Sequence, residues 1–192
     1  MKTSSKTAVK PVVKPMPSCV VSIYDTHEKA EAAVRKLEDE GIDLQVLSIV
    51  GKDMHADDHI YGYYSLGDRL SYCGKQGAFW TDFWSKTSAS AFFRIPGVGP
   101  LLIAGPLAIR LVDAIEGAVV AGGPDALGAS LAGLGIPKSG VVQYESEVKN
   151  GRYLFVIHGA PSEVSTARAV LDRTAASFTH CHIADAPADM SA

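Results

Sequence analysis

The histidines are the residues whose type and spacing come closest to a chemical site. His55 and His59 are four residues apart in the segment DMHADDHI, so one helical turn would place both imidazoles on the same face. His180 and His182 alternate, so a strand would also present both rings on one face, and His158 could join them from an adjacent strand. Each pair could supply ligands to zinc or iron. A solvated loop is the simpler interpretation of the first pair, and a polar edge strand explains the second equally well.

The remaining motifs argue against an enzyme. The glycines form neither a GxxxxGK[ST] loop nor a strand-linked GxGxxG, and no nucleophile-and-base signature is present. Cys19, Cys73 and Cys181 include no CxxC pair, which indicates a reducing cytoplasm rather than a disulfide framework or a structural zinc site. A net charge of -3 gives no reason to expect a nucleic-acid partner. We therefore expect a non-enzymatic protein without a cofactor.

Two stretches at the ends of the chain have the strand, helix, strand order of a βαβ unit. Residues 19–24 and 44–50 read as strands, and Ala30, Ala33 and Leu37 give the helix between them an apolar face. Residues 152–158 and 178–183 repeat the pattern around a helix that we expect Ser162 to cap. Two such units predict an α+β, ferredoxin-like antiparallel sheet of four strands backed by two helices.

The predicted halves of this sheet are far apart in the chain. They occupy residues 18–51 and 152–184, so residues 52–151 form a large helical insertion rich in aromatic residues and glycine. Residues 1–17 and 185–192 are expected to be disordered tails. Arg94 and Arg110 interrupt the longest apolar stretch, which excludes a free-standing transmembrane helix of about 20 residues.

The insertion is the part of the chain most suited to an intermolecular contact. Residues 107–122 have a helical apolar stripe, and the next helix has small residues four apart, a spacing that lets two backbones approach closely. Aromatic residues precede both helices and suggest a wedge packed on an apolar surface. The residues predicted to contact a second copy or a membrane are Phe79, Trp80, Trp84, Leu107, Leu111, Ile115, Gly128 and Ala132.

Several blocks of the sequence resemble a family of bacterial general stress proteins. The blocks are VVSIYDTHEKAEAAVRKLEDEGID, GYYSLGDRLSYCGKQGAFW, IPGVGPLLIAGPLA and ALGASLAGLGIPKSGVVQYESEVKNGRYLFVIHG, which with the closing helix cover most of residues 19 to 183. The resemblance implies heat- or low-temperature-induced proteins largely without an assigned activity, with a split ferredoxin-like domain, a glycine-rich insertion and no catalytic residues. Residues 85–90 (SKTSAS) depart from the apolar, glycine-rich run expected there, which counts against membrane insertion.

The sequence leads to one main hypothesis of function. We expect a cytoplasmic, non-enzymatic, stress-associated protein that forms a homo-oligomer through its glycine-rich insertion, because an exposed apolar patch of that size must be covered. A second hypothesis is a peripheral protein whose insertion rests on a membrane surface. A third is a module that binds a metal or small ligand through His55 and His59 or through His180 and His182.

Overall fold

The computed structural model describes residues 18–52, 83, 86–87, 90–95, 98–121 and 126–183, with the side chains of 91–92, 94–95 and 115–121 left aside. The strands are β1 (Ser18–Tyr24), β2 (Leu47–Lys52), β3 (Ser90–Ile95), β4 (Gly99–Ala104), β5 (Tyr153–Gly159) and β6 (Phe178–His182). The helices are α1 (His27–Asp39), α2 (Pro106–Ala121), α3 (Ala126–Ala132), α4 (Lys138–Lys149) and α5 (Pro161–Leu171). The chain is therefore α+β, as the sequence predicts.

All six strands belong to one sheet in the order β3-β4-β2-β5-β1-β6. Every neighbouring pair is antiparallel. Strands β2 and β5 are central, and all seven residues of the interior strand β1 are buried. Strand β6 stands at one end of the order, so its only neighbour in the described sheet is β1.

Helix α1 forms where the sequence places it, because its start, its buried face and its end are all encoded locally. The Thr26 hydroxyl accepts a hydrogen bond from the Lys29 backbone N–H, which caps the first turn. The residues on its buried face are Ala30, Ala33, Val34 and Leu37. The chain then turns at Gly41, whose φ of 75° is a conformation that glycine adopts without strain.

The second strand begins later than the sequence predicts. Residues 44–50 read as a strand, but Leu44–Val46 form a 3₁₀ turn and β2 starts at Leu47. The physical reason is Asp43, whose carboxylate accepts a hydrogen bond from the Gln45 N–H at 2.9 Å and stabilises the turn.

The start of α5 also differs from the prediction. The sequence predicts that Ser162 caps this helix, but the N-cap is Ala160 and the helix begins at Pro161. Ser162 therefore lies inside the first turn. The Glu163 carboxylate accepts a hydrogen bond from the Ala160 N–H at 2.8 Å, so a side chain inside the first turn satisfies the backbone just before the helix.

The insertion is not wholly helical, which corrects the four-stranded sheet predicted above. Strands β3 and β4 form a hairpin, and β4 pairs with β2 in the register that places Val50 opposite Ile103. Leu101 and Ile103 are fully buried, so this hairpin extends the core rather than standing apart from it. Apolar residues at alternate positions match the two-residue period of a strand with one face buried.

Helices cover both faces of the sheet. We call the side that carries α2, α3 and α4 the three-helix face and the side that carries α1 and α5 the two-helix face. Large members of the first core are Val21, Ile103, Leu107, Leu131, Tyr144 and Val156. Large members of the second core are Leu37, Leu47, Ile49, Phe83, Phe155 and Leu171. No described helix combines the length and hydropathy that a membrane crossing needs.

Candidate functional site

The structure brings together His180 and His182, one of the two predicted ligand pairs. In the pairing of β6 with β1, His180 lies opposite Val21 and His182 lies opposite Cys19. Both imidazoles therefore project to the three-helix face, and their ring centroids are 4.9 Å apart. His180 is exposed to solvent, whereas His182 is partly buried.

Two further aromatic rings complete this group. Phe178, two residues before His180 on the same face of β6, stacks on the His180 ring at a centroid distance of 6.1 Å. Tyr144 of α4 covers the strand from above, and its hydroxyl is hydrogen-bonded to Nε2 of His182 at 2.8 Å. We call Phe178, His180, His182 and Tyr144 the aromatic edge cluster.

Helix α4 can approach the edge strand closely because it has a glycine at the point of contact. Gly140 and Tyr144 are one helical turn apart, and both belong to the buried side of α4. A Cβ on Gly140 would lie 3.4 Å from Cε1 of His182 and 3.0 Å from Cγ2 of Ile136. The missing side chain therefore makes room for the His182 ring beneath the helix.

The protonation states of the cluster follow from burial. Burial lowers the pKa of His182, and the neighbouring His180 lowers it further. Burial raises the pKa of Tyr144 to about 12, with a smaller contribution from Cys19. At neutral pH the pair is therefore a neutral imidazole and a neutral phenol, joined by a hydrogen bond.

Cys19 is next to this cluster in the sheet, but its environment does not favour a reactive thiol. Its side chain is fully buried, and burial together with Cys181 raises the pKa of its thiol to about 12. A buried, protonated thiol is neither a nucleophile nor a ready metal ligand. The position gives no support to cysteine chemistry.

His158 does not join the histidine pair. It lies opposite Cys19 on β5, which places β1 between it and β6. Its Nδ1 is 3.0 Å from the carbonyl oxygen of Val46, so that ring nitrogen is engaged by the backbone. Across the part of the chain that the structure describes, no three His, Cys, Asp or Glu side chains are grouped so that they could hold a metal.

Burial is described for four of the eight residues predicted for intermolecular contact, and all four pack at least partly in the core. Leu107 and Leu111 are fully buried against the three-helix face, and Gly128 is also buried. Ala132 is partly buried and packs on the same core. Packing within the chain is therefore enough to account for the apolar spacing of these four residues. The predictions for His55, His59, Phe79, Trp80 and Trp84 and for the Ile115 side chain fall outside the described residues.

Tyr144 is the member of the cluster that the sequence does not reveal. Its spacing from Val141 and Val148 indicates only a buried helix face. A buried tyrosine hydroxyl needs a hydrogen-bond partner, and that is the one local signal of a polar contact. The partner, His182, is 38 residues away and reaches Tyr144 only through the sheet.

Comparison with known proteins adds no relative. No protein-family model, curated protein or solved structure matches the chain.

Proposed function

We propose that this chain is a non-enzymatic, stress-associated protein that self-associates by antiparallel pairing of β6 from two copies. The observation that carries this is the composition of the strand: Phe178–His182 reads FTHCH, without an Asp, Glu, Lys, Arg or Pro. Edge strands that avoid pairing are usually protected by charge, proline or a bulge. Among the described strands, β6 ends the sheet, and its five residues include neither a charged carboxylate, Lys or Arg side chain nor a proline.

The order of the other strands supports a ferredoxin-like origin for the edge. Omitting the β3–β4 hairpin leaves β2-β5-β1-β6, with α1 connecting β1 to β2 and α5 connecting β5 to β6. This order is the one expected for a ferredoxin-like sheet interrupted by an insertion, and it supports that part of the proposal. Together with the sequence blocks that resemble general stress proteins, it supports the stress-associated part of the proposal.

The same geometry favours β6 over the glycine-rich helices as the contact surface. Among the large apolar side chains of α2 predicted for the contact, Leu107 and Leu111 are fully buried in the core. Of the described residues of the insertion, Ile109 and Val142 are large, apolar and exposed, at 51% and 67%. Single exposed apolar residues are ordinary on protein surfaces.

A two-fold axis perpendicular to the sheet relates the two copies in this pairing. Such an axis reverses the strand direction and keeps each face of the sheet on its own side. The three-helix faces of both copies are then continuous across the contact. The two β6 strands can approach without repulsion between carboxylates, ammonium groups or guanidinium groups of their own, because Phe178–His182 contains no Asp, Glu, Lys or Arg.

Sedimentation equilibrium of the metal-free protein in EDTA tests the proposal. We expect a concentration-dependent dimer, with the dissociation constant rising at least about tenfold in His180→Lys, because two copies would place positive charges close to each other across the shared edge. His180 is exposed, so this change does not disturb the core.

The matched control is Ile109→Lys, which adds the same charge at an exposed site on α2. The dissociation constant of the Ile109→Lys dimer should stay within about threefold of the wild-type value. A wild-type monomer at every concentration, or a dimer broken by Ile109→Lys and not by His180→Lys, would contradict pairing through β6.

A further inference from the structure

We propose that two copies joined along β6 bind one transition-metal ion of the zinc class between them, through His180 and His182 of each copy. The inference rests on the proposed self-association and adds a ligand to it. The chain by itself offers a half-site, and the second copy supplies the other two imidazoles.

The spacing of the two rings fits a shared metal. Zinc binds imidazole nitrogen at about 2.0–2.1 Å in tetrahedral geometry, which places the centroids of two ligating rings roughly 5 Å apart. The His180 and His182 centroids are 4.9 Å apart, with 68° between the ring planes. One ion could be reached by both rings with little movement of the strand.

Tyr144 prepares His182 for this role. A metal-binding histidine commonly donates its second ring N–H to an oxygen acceptor, which fixes the tautomer and the ring orientation. When Nε2 of His182 donates to the Tyr144 hydroxyl at 2.8 Å, the Nδ1 lone pair is left for a metal.

The set becomes complete only across the proposed dimer. Among the described residues, no third His, Cys, Asp or Glu lies close enough to His180 and His182 to form a metal group. Directly opposite residues of paired antiparallel strands have Cβ atoms about 4.5–5.5 Å apart and share one face of the sheet. Pairing centred at Cys181 places His180 opposite His182 of the other copy and His182 opposite His180 of the other copy, so it brings four imidazoles together on the three-helix face.

The ligand chemistry defines the class of ion. Neutral imidazoles suit zinc, copper, nickel and iron, whereas magnesium and calcium prefer oxygen ligands. A tetrahedral set of four nitrogens is a closed site of the structural kind, since it leaves no position for a substrate. Such a site would stabilise the short antiparallel pairing of the two β6 strands. The dimer would then dissociate less when the metal is bound.

The test combines isothermal titration of zinc chloride into the metal-free full chain with sedimentation equilibrium in zinc and in EDTA. We expect one zinc ion to bind per two chains. The dissociation constant of the dimer should be at least about tenfold lower in zinc than in EDTA. His180→Ala should reduce zinc affinity by at least about a hundredfold, because each dimer loses two ligands. This variant changes an exposed side chain, and circular dichroism would verify its fold.

The matched control is the double variant His55→Ala with His59→Ala, which removes the other histidine pair. It should bind zinc like the wild type. One zinc per chain, or binding lost in this control and kept in His180→Ala, would overturn the inference.

The outcomes also separate the two proposals. A dimer in EDTA that neither binds zinc nor tightens with it rejects the metal site and leaves the β6 pairing standing. A wild-type monomer in both zinc and EDTA rejects the pairing and the metal site together.

Discussion

Ser48 and Leu107 are joined by a hydrogen bond of 3.0 Å, in which the Leu107 backbone N–H donates to the Ser48 hydroxyl. Leu107 is in the first turn of α2, where backbone N–H groups have no partner within the helix. Ser48 is on β2, 59 residues earlier, and is fully buried. The side chain of Ser48, on strand β2, therefore caps the first turn of α2, the helix of the insertion that packs on this sheet.

Replacement of Ser48 by alanine should lower the free energy of unfolding by about 1–2 kcal/mol, because the Leu107 N–H would remain buried without an acceptor. Urea denaturation monitored by circular dichroism measures the loss. Ser146→Ala is the matched control, since Ser146 is exposed on α4 and its replacement should change stability by less than about 0.5 kcal/mol. Equal effects of the two changes would argue against the cap.

Gly105, just before α2, should tolerate no side chain. Its φ of 87° strains any other residue, and an added Cβ would lie 2.8 Å from the Ser48 Cα and against the Leu47 carbonyl oxygen. We expect Gly105→Ala to cost more than about 3 kcal/mol, because backbone atoms of a central strand cannot move aside.

The comparison for this prediction is Gly41→Ala. Gly41 has a similar φ of 75°, but nothing lies within 4 Å of a Cβ built there. Conformational strain alone should then cost about 1 kcal/mol. Thermal and urea unfolding of both variants separate strain from collision, and similar losses at the two glycines would show that the approach of Gly105 to β2 is not tight.

The sequence predicts the parts of this fold whose signals are local. The spacing of Ala30, Val34 and Leu37 is enough for α1, because a helix buries one face at a fixed period. The β3–β4 hairpin depends instead on a partner: residues 90–95 and 99–104 become strands because β4 pairs with β2, and the glycines and prolines of this stretch conceal the alternation. Local periodicity also cannot distinguish Leu107 facing its own core from Leu107 facing another chain.

The candidate site divides in the same way. Alternation along a strand predicts that His180 and His182 share a face, and the structure places them so. Strand order and helix packing determine two other features, which a single sequence does not encode locally. These are the hydrogen bond between Tyr144 and His182 and the separation of His158 from the histidine pair by β1.

The contact between Tyr144 and His182 should be measurable as a coupling energy. In a double-mutant cycle of Tyr144→Phe and His182→Ala, each single change removes one partner of the 2.8 Å hydrogen bond. We expect a coupling of about 1 kcal/mol in unfolding free energy at neutral pH in EDTA. Additivity of the two changes to within about 0.3 kcal/mol would show that the hydrogen bond contributes nothing to the fold.

His158 should make the folded state sensitive to acid. Burial lowers its pKa in the folded protein, the Val46 carbonyl acts in the opposite direction without cancelling this effect, and the charge of Arg110 makes a smaller contribution that lowers the pKa further. The unfolded chain then takes up the proton first, so stability is full above about pH 6.5 and falls as the pH decreases through the lowered pKa. His182 acts in the same direction, since its pKa is lowered too.

The midpoint of urea unfolding should therefore drop between about pH 7.5 and pH 5.5. The drop should be smaller in His158→Gln, because the glutamine amide can still donate a hydrogen bond to the Val46 carbonyl and does not titrate. An identical drop in the variant would mean that other groups carry the acid sensitivity.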